Sequence, residues 1–167
     1  MPGSPPKGYR LSQIALHWFV VVAVLFLFFS GDQTTERFLA DLKGSASSVG
    51  AAWIAIHIVV RLAILAAMLC RLVLRWRFGA PIPPEAESAP LRWLAAAVHV
   101  GLYLDMIGAA LIGLVVYFAY PALAPLHEFL TRLALMALVA LHVAGALWHH
   151  FYWRDDVLMR MFRPARG

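Results

Sequence analysis

Four stretches of this chain are too long and too apolar to sit anywhere but across a lipid bilayer. A hydrocarbon core of about 30 Å needs about 20 apolar residues per helix, and residues 11–31, 49–74, 93–120 and 126–153 each meet that length. Lipid offers no hydrogen-bond partner to a backbone amide, so each stretch reads as a helix that satisfies its own peptide groups. The expected fold is all-α: an integral-membrane, up-down-up-down four-helix bundle forming one domain over residues 1–167. Composition agrees. The chain is 62% hydrophobic and 14% charged, against about 45–50% and 25% in soluble proteins. That excludes a soluble globular enzyme, a disordered tail and a nucleic-acid-binding module. The net charge of +5 is therefore read against a membrane surface and its lipids.

The loops carry the direction. Residues 31–50 are polar and slightly acidic, 75–92 (RWRFGAPIPPEAESAPLR) are expected to form a stiff proline-rich connector, and YPALAP at 120–125 a tight turn. Ser12 is the expected N-cap of the first helix. That helix should stay attached, because no small-residue cleavage site follows it and His17-Trp18 interrupts its apolar run. Lys7, Arg10, Arg71, Arg75, Arg77, Arg92, Arg154, Arg160, Arg163 and Arg166 fall on one side, and only Arg37 and Lys43 on the other. The positive-inside rule then places both termini in the cytoplasm. Trp18, Trp76, Trp93, Trp148 and Trp153 lie toward that side and Trp53 toward the outer one, as an aromatic belt would. The single cysteine, Cys70, excludes a disulfide framework and any cysteine-ligated metal site.

All seven histidines, His17, His57, His99, His127, His142, His149 and His150, lie within or at the edges of the spans. One such residue is ordinarily bonded to a neighbouring helix or reaching for the interface; this many, over all four spans, points to function. Depth sorts them. His17 lies roughly 8 Å from the cytoplasmic end of its span and His57 roughly 10 Å from the outer end of its own, so they occupy levels roughly 12–15 Å apart. His127 and His142 are 15 positions apart, roughly 22 Å of helix and about 60° from a whole number of turns. One helix can thus present an imidazole to each level, pairing His57 with His127 and His17 with His142. His149 competes for the inner place, but roughly 33 Å from His127 is too far to match both levels. Two facing imidazole pairs suit a haem clamped from both sides, whose iron then cycles between ferrous and ferric for electron transfer. A structural zinc site fits less well, since it gathers four ligands at one point.

Several segments are similar to the bacterial cytochrome b561 family in its short four-helix form: YRLSQIALHW, IHIVVRLAILAAMLCRLVLRWRFGAPIPP, HVGLYL, LHEF and, most specific, LHVAGALWHHFYWRDDVLMRMF. The resemblance covers nearly the whole chain. It implies two haem b groups ligated by His17 with His142 and by His57 with His127, in a multi-pass protein of the bacterial inner membrane. Here the two ligands on the last helix are one residue further apart than in the family pattern. The resemblance further implies oxidation of superoxide to oxygen at the outer haem and reduction of ubiquinone at the other end.

Arg61 and Asp105 lie at similar depth and are expected to face each other as a buried pair; binding of a haem propionate by Arg61 is the equal alternative. Arg132 either serves the outer haem's propionates or reaches outward, and Glu128 is expected in solvent. His99 and His149, near the inner haem's level, are candidates for a quinone site, since imidazole can hold a carbonyl and pass a proton; packing is the plainer account. Arg71, Arg75, Arg154 and Arg160 are expected to hold lipid phosphates. Arg37, Lys43 and Arg132 are the cations that could draw superoxide in, against Asp32, Glu36 and Asp41 in the same loop. The alternative function is a membrane anchor relaying electrons from a partner dehydrogenase or hydrogenase to quinone; the short outer loops favour a chain that needs no redox partner. A haem-free transporter is disfavoured by the lack of broken, matching halves.

Overall fold

The computed structural model describes residues 8–82, 84 and 87–165. Among them every regular element is helical. Four helices are long and apolar enough to cross a membrane: α1 (Leu11–Lys43), α2 (Ala52–Phe78), α3 (Ala89–Phe118) and α4 (Pro121–Trp153). Two cations of the charge count, Lys7 and Arg166, lie outside the described residues, as do positions 83, 85 and 86 of the proline-rich connector.

Several boundaries differ from the sequence reading. Ser12 is not the N-cap; it sits inside the first turn. The cap is Arg10, in extended conformation, whose backbone N–H donates to Gln13 Oε1 at 3.0 Å. The polar stretch after Gly31 is not a loop but a further twelve residues of α1, to Lys43. Its charges are placed for a helix, with Arg37 and Asp41 paired one turn apart at 2.6 Å. The helix stops at Gly44, whose φ of 62° is the left-handed conformation that costs glycine nothing. That turn lets the Gly44 and Ser45 amides cap the open carbonyls of Asp41 and Ala40. The connector 75–92 shrinks from both ends, because α2 runs to Phe78 and α3 starts at Ala89. YPALAP holds the 3₁₀ turn Pro121–Leu123 with which α4 opens.

Neighbouring helices run antiparallel. Gln13, at the start of α1, donates to the carbonyl of Gly79 just past the end of α2 (3.2 Å), while Arg37 near the other end of α1 donates to Val49 just before α2 (3.3 Å). Along α3 and α4, Gly101 faces Leu138 and Gly113 faces His127. Gly31 likewise lies beside Arg132, so α4 also opposes α1. A compact core fills the middle, built from Val20, Ala23 and Leu27 of α1, Ile64, Ala67 and Met68 of α2, Met106 of α3 and Leu135 of α4. Outward faces stay apolar, with Phe29, Leu104, Leu133 and Phe151 all exposed, as lipid contact requires.

α4 is not uniform. Over Phe129–Ala134 it widens into a π-helix, where the Leu135 amide reaches back five residues to Leu130. Thr131 Oγ1 donates to the carbonyl of His127 at 2.9 Å, serving an acceptor that the widened turn displaces. A second π-turn, His149–Trp153, ends at Arg154 with φ of 55°. This left-handed residue reverses the chain. The following segment then folds back across the end of the bundle where α1 begins and α2 ends. Trp18 Nε1 donates to Met161 O at 2.8 Å, Arg160 donates to Ile82 O at 3.0 Å, and Ala165 N–H donates to Tyr9 O at 2.9 Å.

Candidate functional site

Four histidines converge in two pairs, one on each side of the central core. His57 of α2 faces His127 of α4 with ring centres 6.4 Å apart. His17 of α1 faces His142 of α4 with centres 6.1 Å apart. An imidazole nitrogen lies about 1.1 Å from its ring centre and a metal–imidazole bond is about 2.0 Å, so rings gripping one ion from opposite sides stand about 6.2 Å apart. Both pairs have that separation. Nδ1 of His57 and Nδ1 of His127 are buried without a hydrogen-bond partner, an arrangement uncommon for buried polar groups and one that fits a ligand-binding role. No group of three or more His, Cys, Asp or Glu converges among the described residues. Each pair thus brings together two imidazoles and no third candidate ligand among the described residues.

The π-stretch sets the register of the pairs. Fifteen regular steps would leave His142 about 60° past four turns from His127; absorbing one residue in the bulge makes the path equivalent to about fourteen steps, about 40° short of four turns. The residue absorbed by the π-stretch lies between the two histidines, and each ring faces its partner on another helix.

Around His57 and His127 lies a cavity of about 370 Å³, within the usual range of about 300–1,000 Å³ for small-molecule sites, lined by Leu27, Gly31, Arg61, Gly113, Arg132 and Leu135 among others. Gly113 is what makes room for the His127 ring, because a Cβ there would stand 2.7 Å from His127 Cε1.

The charged groups answer the sequence expectations unevenly. Arg61 and Asp105 are both buried but are not joined as a hydrogen-bonded ion pair: Arg61 Nε and both Asp105 oxygens lack partners. Arg61 instead lines the cavity. The two groups stay within electrostatic reach of each other without forming a salt bridge, the guanidinium also facing the open cavity. Arg132 also lines the cavity, and its guanidinium is bonded to Asp32 of α1 and lies 3.5 Å from Glu128. Glu128 is exposed, as expected, but not alone.

His99 packs edge-on against His142 with ring centres 5.0 Å apart. Its Nδ1 lies 2.6 Å from the Ala95 carbonyl; a carbonyl only accepts, so Nδ1–H donates to it and Nε2 is left for another partner. His149 does not join the inner pair. Its Nδ1 lies 2.6 Å from Asp155 and its Nε2 3.8 Å from Glu87. The left-handed turn at Arg154 swings Asp155 back to this ring. Glu87, 6% exposed, was invisible in a loop composition that reads as solvated; nothing in its sequence spacing points to His149. Gly113 was legible only as a glycine inside a span. His150 contacts Phe151 and meets none of the other histidines.

A family model for prokaryotic cytochrome b561 matches residues 8–164. The chain is 32% identical over 157 residues to cytochrome b562 of Cereibacter sphaeroides, covering 94% of this chain and 96% of that protein. It is 27% identical over 186 aligned residues to the probable superoxide oxidase CybB of Yersinia pestis, covering 96% of this chain and 99% of that one. With four spanning helices and paired intramembrane histidines, the chain belongs to the prokaryotic cytochrome b561 family: it is a bacterial multi-pass membrane cytochrome b of electron transfer.

Proposed function

We propose that the chain holds two haem b groups, one between His57 and His127 and one between His17 and His142, and carries single electrons between these levels. The observation that carries this reading is the match of both ring separations, 6.4 and 6.1 Å, to one metal ion per pair. Bound haem supplies a reversible one-electron couple, and filling both axial positions with imidazole disfavours oxygen storage. The whole chain acts as one domain, with both termini in the cytoplasm and the His57–His127 level outermost.

In this reading superoxide gives up one electron at the outer side and leaves as oxygen. Two such electrons and two protons convert ubiquinone to ubiquinol near the inner pair. Support for superoxide is the likeness to the probable superoxide oxidase of Yersinia pestis together with the cations at the outer mouth. Arg37 and Arg132 are already held by Asp41 and by Asp32 and Glu128, which leaves Lys43 as the cation without such a partner among the described residues. Arg61 and Arg132, lining the outer cavity, would hold the carboxylates of a haem there. At the inner end, His99 presents an open Nε2 and His149 sits between two carboxylates. These groups can hold a quinone carbonyl and exchange protons with it.

The test is direct. Purified protein should show two low-spin haems b per chain in its reduced-minus-oxidised spectrum; a haem-free preparation ends the redox reading. A superoxide source should reduce it and a ubiquinone analogue reoxidise it, whereas reduction by a partner dehydrogenase alone would assign the anchor role. His142→Ala should lose one haem and keep the other, and His149→Ala should keep both.

A further inference from the structure

A carboxylate and a guanidinium lie in the middle of the membrane with no salt bridge between them or to any other described residue. Asp105 is 8% exposed and Arg61 9%, and neither Asp105 oxygen nor Arg61 Nε has a hydrogen-bond partner. Buried charges are retained at such positions when they act on something, because leaving them there is strongly disfavoured.

Their placement between the histidine pairs indicates what they act on. Asp105 lies eight residues from Gly113, which packs on His127, and six from His99, which packs on His142. Along α3 that is about 12 Å from one level and about 9 Å from the other. Arg61 is one turn from His57, about 6 Å along α2, and shares a cavity with His57 and His127. The material around them is the apolar core of Ile64, Ala67, Met68, Met106 and Leu135, a medium that screens charge poorly. The positive group is therefore nearer the His57–His127 level, and the negative group is the nearer of the two to the His17–His142 level.

Resting on the two-haem reading above, we propose that Arg61 and Asp105 are an electrostatic tuning pair that sets the difference in reduction potential between the two levels. Reduction adds an electron, so a nearby cation favours it and a nearby anion opposes it. Arg61 raises the potential of the His57–His127 haem. Asp105 lowers both, and the His17–His142 haem more.

The experiment is a spectroelectrochemical titration of the purified holoprotein, with the two waves assigned by the single-haem His142→Ala variant. Asp105→Asn should move both waves to higher potential, the His17–His142 wave further. Arg61→Gln should move the His57–His127 wave lower, and Arg61→Lys should leave it near its original place. An Asp105→Asn protein with two haems and unmoved waves overturns the proposal, as does a shift of the same sign from removing either charge. Should Asp105→Asn lose haem, Asp105→Glu must restore both haems and the waves; failure of glutamate as well assigns the position to shape and overturns it. A wild-type protein without haem refutes the function first, an outcome distinct from unmoved waves in a haem-loaded protein.

Discussion

Gly113 is the residue on which the His57–His127 site most depends for space. With His127 Cε1 2.7 Å from where a Cβ would stand, Gly113→Ala must displace the imidazole, an overpacking cost of about 1–3 kcal/mol. The expected outcome is a haem-to-protein ratio that falls from two toward one, with the His17–His142 signal retained; two haems at full occupancy would show that the ring has room to move. The same scale shows where sequence reading succeeds and fails. The four paired histidines were legible because an imidazole in an apolar run has few other reasons to be there, and depth alone sorted them by level. The partners of His149 were not. Glu87 comes from a connector and Asp155 from beyond a left-handed residue, and no local spacing predicts either approach. Ser12 had the chemistry of a cap, yet Arg10 with Gln13 took the position, because the helix start is set by where α1 meets Gly79 and the returning C-terminal segment.

The informative element is α4. Its π-stretch at Phe129–Ala134 holds one residue more than a regular helix, and that residue keeps His127 and His142 in register. Deleting Leu130 should let the stretch close into regular helix and leave both haems in place. Deleting Ala137, in the regular part, should turn His142 by about 100° relative to His127 and remove the His17–His142 haem. Haem content of the two deletions, measured side by side, checks this; loss of that haem in both would mean the bulge itself is required. Helix periodicity on paper assumes 100° per residue throughout, so the bulge was not legible, although the spacing of fifteen marked where to look. The extra turns of α1 beyond Gly31 were missed for a different reason. Polarity marks where a helix leaves lipid, not where its hydrogen bonding stops.

Across the whole molecule, the charge asymmetry and the antiparallel packing bear on one prediction of orientation. Green fluorescent protein fused after Gly167 should fluoresce, and alkaline phosphatase inserted between Gly44 and Gly50 should be active; the reverse pattern would invert the proposed direction of electron flow. The terminal face is also closed by its own chain, through Trp18 to Met161 and Arg160 to Ile82. Trp18→Phe removes one exposed hydrogen bond to the Met161 carbonyl, worth about 1 kcal/mol or less, and should make the segment after Arg154 more sensitive to protease without changing haem content.

Amphiphilicity by itself determined the membrane, the number of spans and the two histidine levels, because in lipid each helix must satisfy its own backbone and an imidazole must justify its burial. Tertiary structure alone decided which charges stay paired. Arg132 found Asp32 on another helix, His149 found Glu87 and Asp155, and Arg61 and Asp105 stayed at the centre without a salt bridge between them. Those outcomes depend on rotation, on the bulge in α4 and on ångström-scale reach between helices, and none of these is written in the order of residues along one strand of chain.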